Sequence, residues 1–215
     1  MRIMKFFTAA TIMALGLSAL AQDTIHFTWD VYASTLQKSF DIRTTNGETF
    51  TIDWGDNQTE PQTGQGSTIT INHTYATVGT YNVKIIADNT NCRFIDLYCN
   101  NNFLSSLDVS NCTDLAELMC SDNLLTNLDV GNCTALTILN CSFNFYSLSS
   151  LDVSKCTALT NLYCYQNQLS AAALNALFET LHSNVGVKNV IIRNNPGTND
   201  CDRSIAERKG WRVSR

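Results

Sequence analysis

The sequence of 215 residues predicts a mixed chain. A small β-sandwich is followed by a right-handed solenoid, whose parallel β-sheet gains one strand per coil, and then by a short helical C-terminal cap. Three observations predict this. A phrase built on Leu, Cys and Asn recurs between Asn91 and Leu169. Five short segments of alternating apolar and polar residues precede it. After Leu169 the apolar spacing changes from that of a strand to that of a helix.

The first stretch reads as a leader. Met1 to Lys5 is basic, Phe6 to Leu17 is apolar, and Ala19-Leu20-Ala21 is a small-x-small cleavage site. Residues 1–21 therefore read as a secretory signal peptide, with Gln22 first in the mature chain. A membrane anchor is the alternative, but the apolar run is shorter than the roughly 20 residues that span a bilayer. No Cys follows the cleavage site to carry a lipid, and no second apolar run of that length follows. The chain is thus expected to be exported (secreted, periplasmic or at the cell surface) and not inserted in a membrane. Losing Arg2 and Lys5 with the leader takes the net charge from −5 to −7. An acidic chain lacks the basic face that nucleic acid requires.

Residues 22–88 read as the sandwich. Asp23–Trp29, Gln37–Arg43, Thr49–Trp54, Ser67–Asn72 and Thr80–Ala87 alternate and are rich in β-branched and aromatic residues. Asn46-Gly47, Gly55-Asp56-Asn57, Gly64-Gln65-Gly66 and Gly79 supply the turns between them. Asp53 and Asp56 read first as turn-forming side chains that bond their own backbone, with a calcium site as the alternative. His73 reads as a hydrogen-bond partner, with no second His near it. Asp53-Trp54-Gly55-Asp56-Asn57, then His73-Thr74-Tyr75 and Gly79-Thr80-Tyr81-Asn82-Val83, resemble the PKD family of Ig-like sandwiches over about residues 48–88. Asn57 departs from the family's usual Gly, and Asn also tolerates positive φ.

Residues 89–215 carry the repeat. Aligned copies read F-I-D-L-Y-C-N-N-N, L-A-E-L-M-C-S-D-N, L-T-I-L-N-C-S-F-N and L-T-N-L-Y-C-Y-Q-N. Cys99, Cys120 and Cys141 lie 21 residues apart, and Cys164 follows 23 later because Asn144–Ser150 holds two extra residues. A fixed period of this length with L-x-x-L-x-C-x-x-N is the signature of a leucine-rich-repeat solenoid, here of about five coils. Strand alternation points Leu115, Leu118 and Cys120 inward, with their equivalents in the next copies. Eight of the nine cysteines occupy two fixed repeat positions, and no C-x-x-C occurs. They read as two ladders of buried thiols rather than disulfides or metal ligands. Cys201 is either a core residue of the cap or a bridge to one rung. Asn102, Asn123, Asn144, Asn167 and Asn195 form a ladder whose amides can bond the backbone of neighbouring coils. The copies resemble the 21-residue repeats of bacterial secreted leucine-rich-repeat proteins, in which L-D-V-S is common.

After Leu169, Ser170 is a helix N-cap and Leu174, Leu177, Phe178 and Leu181 share one helical face. Val187–Gly197 repeats the inward and Asn spacing as a fifth, degenerate strand. Asn199 or Asp200 can cap a short helix running through Lys209, closed by Gly210 and Trp211.

Function is expected where the repeat leaves residues unspecified. On the concave side these are Tyr98, Met119, Ile138, Phe143, Tyr163, Tyr165, Ile191 and Arg193, in solvent-facing columns that also hold Asp96 and Glu117 on one flank and Ser142 beside Tyr165 on the other. Large rings and Met on an exposed rigid sheet suit a binding partner; the plain alternative is β-forming residues on an outer face. The three His are far apart, and no nucleophile, zinc or phosphate-loop motif occurs. The expectation is a non-enzymatic, monomeric adhesion-type protein that binds another protein, as the resemblance to internalin-type surface proteins implies, or else a glycan. It is expected to need no cofactor or metal.

Overall fold

The computed structural model describes residues 22–144 and 148–215, so the expected leader, with Phe145 to Ser147, lies outside the described residues. The elements in chain order are β1 (Thr24–Val31), β2 (Gln37–Thr44), β3 (Thr49–Asp53), β4 (Thr59–Thr63), β5 (Ile69–Thr74), β6 (Gly79–Ala87), β7 (Phe94–Tyr98), β8 (Leu104–Asp108), β9 (Glu117–Met119), β10 (Ile138–Asn140), β11 (Asn161–Tyr163), α1 (Ala171–Thr180), β12 (Lys188–Ile191), α2 (Ser204–Glu207) and β13 (Trp211–Ser214). The strands make two sheets. One has the order β4-β3-β6-β1-β8, and the other has the order β13-β12-β11-β10-β9-β7-β2-β5.

Alternation drives the N-terminal layers. Ile25, Phe27, Trp29 and Val31 on β1 are buried while their neighbours are less so, and Phe40 and Ile42 do the same on β2. Burying these side chains is the main favourable contribution to folding. Their rings interlock: Trp29 stacks on Trp54 at 6.1 Å, and Phe27 meets Phe40 edge-on at 5.8 Å. The polar tips are satisfied, because Trp29 Nε1 donates to Tyr75 Oη at 2.9 Å and Tyr75 Oη donates to the Trp54 carbonyl at 2.9 Å. Asp53 and Asp56 accept from the backbone N–H of Gly55 and Gln58, and Asp56 Oδ2 lies 2.8 Å from His73 Nε2. Asn57 sits at φ 69°, and Gly55 at φ 76° packs so closely on Asn82 that a Cβ would stand 2.5 Å from its carbonyl oxygen.

Strands β7, β9, β10, β11 and β12 pair in parallel, one repeat per strand. Leu97, Leu118, Leu139, Leu162 and Val190 are mutually in register, and all are fully buried. The thiols fill the same interior. All nine cysteines are free and the eight repeated ones are buried. Cys99, Cys141 and Cys164 donate forward to the carbonyls of Met119, Tyr163 and Ile191 on the next rung. Cys112, Cys133 and Cys156 donate backward, to Thr24, Val109 and Val130. Cysteine thus adds weak hydrogen bonds between rungs that Leu could not make.

The expected fold class is corrected in two respects. A PKD/Ig-like β-sandwich followed by a leucine-rich-repeat solenoid of about five coils places two units in series. Instead β2 pairs antiparallel with β7, so one mixed sheet of eight strands runs through both regions, and β8 pairs antiparallel with β1 at the edge of the other sheet. Leu104–Asp108 is that edge strand because β1 leaves an unpaired edge beside it. The chain is also mostly strand: the helices among the described residues have 10 and 4 residues, too little helix for the expected solenoid. The return segments close through tight turns instead, with the N–H of Cys112, Cys133 and Cys156 bonded to the carbonyls of Val109, Val130 and Val153.

Three local differences follow from polar sequence or short length. β4 carries Glu60, Pro61 and Gln62, and it is tolerated because it is an edge strand. Asp202, rather than Asn199 or Asp200, accepts from the start of α2 at the Ser204 N–H. Trp211–Ser214 is a final parallel strand beside β12, with Trp211 Nε1 donating to the His182 carbonyl.

Candidate functional site

The outward face of the long sheet follows from the same alternation. With Leu97, Leu118, Leu139, Leu162 and Val190 inward, the residues on either side of them point out. Tyr98, Met119, Asn140, Tyr163 and Ile191 are in register in one column. Asp96, Glu117, Ile138, Asn161 and Asn189 form a second. The structure therefore gathers Tyr98, Met119, Ile138, Tyr163 and Ile191 onto one surface, all half-buried, with Phe143 and Tyr165 half-buried and Arg193 exposed at the strand exits.

The amides hold this surface in place. Asn123 Oδ1 accepts from the N–H of Asn102 and Leu104, and its Nδ2 donates to the carbonyls of Cys99, Cys120 and Ser121. Asn144, Asn167 and Asn195 make the equivalent links from rung to rung. Asn102 extends the series across the joint by donating to the Ser39 carbonyl of β2. Every such Asn is nearly or fully buried, so its amide satisfies backbone groups that water cannot reach.

The residue before each of these Asn is left-handed: Asn101, Asp122, Phe143, Gln166 and Asn194 have φ between 54° and 57°. Four of the five are polar side chains. Phe143 is the bulky exception, in a conformation such residues rarely adopt. Its ring meets Tyr165 edge-on at 5.1 Å, and the Arg193 guanidinium lies over the other ring at 4.5 Å. A stack of Phe143, Tyr165 and Arg193 thus stands at one corner of the face.

The opposite corner is polar and already paired. Asp96 is 3% exposed and takes a forked pair of bonds from Arg43 at 2.5 and 2.9 Å. That bond raises the Arg43 pKa above its usual value. Tyr98 Oη donates to Glu117 at 2.7 Å, and burial followed by that bond pushes the Tyr98 phenol well above the usual range. Sequence reading placed Asp96 at the solvent; the antiparallel neighbour β2 brings Arg43 across it instead. Ser142, expected outward beside Tyr165, is fully buried and donates to Asn140. Arg43 and Asp41 join the face from β2, and Arg212 joins it from β13 opposite Asn189. Alternation in Gln37–Arg43 signals their direction, but nothing local signals which sheet they enter.

Among the described residues no cluster of three or more His, Cys, Asp or Glu could hold a metal. His182 bonds the Leu159 carbonyl and His73 bonds Asp56, so both serve the scaffold. Burial pushes the ladder thiols up, to about 11 for Cys92 and Cys156 and about 12 for Cys99, Cys133 and Cys141. Such thiols are poor nucleophiles at neutral pH. No helix among the described residues is long and apolar enough to cross a membrane. No family model matches the chain, and comparison with curated proteins and with solved structures gave no match.

Proposed function

We propose that the chain is an exported, non-enzymatic binding protein that holds a protein partner on the outward face of its long sheet. One observation carries this reading: the residues that the repeat does not dictate include Tyr98, Met119, Ile138, Tyr163 and Ile191, and they share that one face. Half-buried rings, Met and Ile backed by a fully bonded lattice lose little side-chain entropy on binding, which favours affinity. The paired Arg43–Asp96 and Tyr98–Glu117 groups at one end suit a polar rim around an apolar centre.

Tyr163 and Tyr165 on one rung favour a second reading, a glycan stacked on the two rings for adhesion or polysaccharide capture. Cross-linking with pull-down on the purified chain, run beside a glycan array, separates the two. A Tyr163→Ala, Tyr165→Ala double variant should lose a protein partner by more than about tenfold, as truncation of central aromatic anchors does. If every partner binds that variant unchanged, the face is not the binding surface.

A further inference from the structure

The outward face is unequal in charge along its length. At the β7 end the carboxylates of Asp96 and Glu117 are engaged by Arg43 and Tyr98. In the middle lie the uncharged Met119, Ile138, Asn140 and Asn161. At the β12–β13 end stand Arg193 and Arg212, both exposed, and neither makes a salt bridge or a side-chain hydrogen bond among the described residues. Among the described residues no Asp or Glu is in register with them; their neighbours are Tyr163, Tyr165, Asn189, Ile191 and Ser214. Two unpaired cations are thus left on one corner of a chain whose net charge is −5.

Arg193 is also held. Its guanidinium carbon lies over Tyr165, 4.5 Å from the ring centre, and Tyr165 is braced in turn by Phe143. A stacked guanidinium keeps its N–H fork free in the plane and has already lost part of its rotamer freedom. The left-handed backbone at Phe143, where the other rungs use Asn, Asp or Gln, is the cost of placing that ring. Arg212 stands beside Asn189, four residues before Arg193 on the neighbouring strand, which offsets the two backbone positions by about 13 Å along the strands at their usual rise. Ile191 and Ser214 lie between them, and Tyr163 flanks Ile191 on the β11 side.

We infer that this corner is the anchor of the binding face, and that its occupant is an acidic segment of a partner protein. Two carboxylates of the segment meet Arg193 and Arg212, and an apolar side chain between them rests on Ile191, against the flanking Tyr163. This rests on the reading of the outward face as the binding surface and adds the chemistry of the partner. The aliphatic floor of Ile191, Ile138 and Met119 favours a protein segment over a sugar, which prefers rings and polar groups.

The test is selection from a random peptide display library on the purified chain, followed by fluorescence anisotropy with the enriched peptides. Enriched sequences should carry two Asp or Glu separated by a few residues with a large apolar residue between them. Arg193→Gln and Arg212→Gln should each weaken these peptides about tenfold, and added salt should weaken them on wild type. Arg193→Lys should recover only part of the loss, since it keeps the charge without the fork. Both arginines are exposed, so circular dichroism should show the variants folded. Enrichment of neutral or basic peptides, or affinity indifferent to both arginines, overturns the inference; if Tyr163→Ala still weakens those peptides, the binding face itself stands. Polygalacturonate or heparin bound in an Arg193-dependent way, with no peptide enriched, assigns the corner to an anionic glycan and overturns the protein segment. Absence of any Tyr163-dependent binding removes the face as well.

Discussion

Asn123→Ala tests the amide ladder most directly. Asn123 is 3% exposed and its side chain meets five backbone groups. Truncation leaves the N–H of Asn102 and Leu104 buried without their acceptor and removes the donor to three carbonyls. A buried group stripped of its partner costs about 1–3 kcal/mol, so the two N–H groups alone give about 4 kcal/mol. That is a large share of the roughly 5–15 kcal/mol that holds a domain folded. Urea denaturation reads it: at a slope of about 2 kcal/mol per molar, the midpoint should fall by about 2 M with the slope unchanged. Asn161→Ala is the control, because Asn161 is half-buried on the outward face and bonds only Thr160 Oγ1 and Asn189; it should cost less than about 1 kcal/mol. Asn123→Asp keeps the acceptor but turns an anionic oxygen toward three carbonyls, so it should be at least as damaging at neutral pH. A loss for Asn123→Ala no greater than for Asn161→Ala would refute the reasoning.

The thiol ladders predict that native protein leaves its eight repeated cysteines unreactive to an aromatic disulfide reagent at neutral pH, that half-buried Cys201 reacts first, and that all nine react once the chain is unfolded. Stability should fall at alkaline pH. The buried thiols titrate above the unfolded value of about 8.5, so the folded state holds protons that the unfolded state has lost; the thiol contribution is complete below that value and is lost as pH rises toward 11 and 12, as a pH series of urea midpoints would show. Phe143→Asn should stay within about 1 kcal/mol of wild type, because relief of the left-handed backbone offsets the lost ring contact, while Arg193-dependent peptide binding falls.

What the sequence made legible was whatever repeats. The inward Leu and Cys positions and the Asn at each strand exit were readable because a parallel ladder requires the same residue at the same height in every rung. The joint was not readable, because β2 finds β7 across more than 50 residues and neither strand carries a mark of its partner. Asp96 was therefore placed at the solvent, and Arg43 was overlooked as the group that covers it. β4 was missed because Glu60-Pro61-Gln62 breaks the apolar alternation that reveals a strand. Leu104-Ser-Ser-Leu-Asp108 was not read as a strand, because its partner, the edge of β1, lies far away in the sequence. At the outward face the sequence indicated which residues are exposed between the inward ones, but not that their acids are paired at one end and their arginines unpaired at the other.

That asymmetry follows from how the two ends of the long sheet are closed. The first parallel strand, β7, is covered along its free edge by β2, which brings Asp41, Lys38 and Arg43 into the sheet. Lys38 points inward, donates to the Asn102 carbonyl at 2.9 Å and lies over Trp29 and Phe103. Asp23, fully buried, accepts from Phe94 N–H and from Arg93. The joint thus consumes charge: Lys38, Arg43, Asp96, Asp23 and Arg93 are each bonded across it, since an unpaired group would be costly once buried. The far strand, β13, has four residues and, among the described residues, no strand on its outer side. A short edge carrying an exposed Arg resists pairing with other sheets, so Arg212 suits a structural need as well as a binding one. Arg193 has no such use, because it lies past the end of β12 and at no edge. Its stacking on Tyr165 is the feature that the architecture does not require, and it is the reason to look for the partner's carboxylate there first.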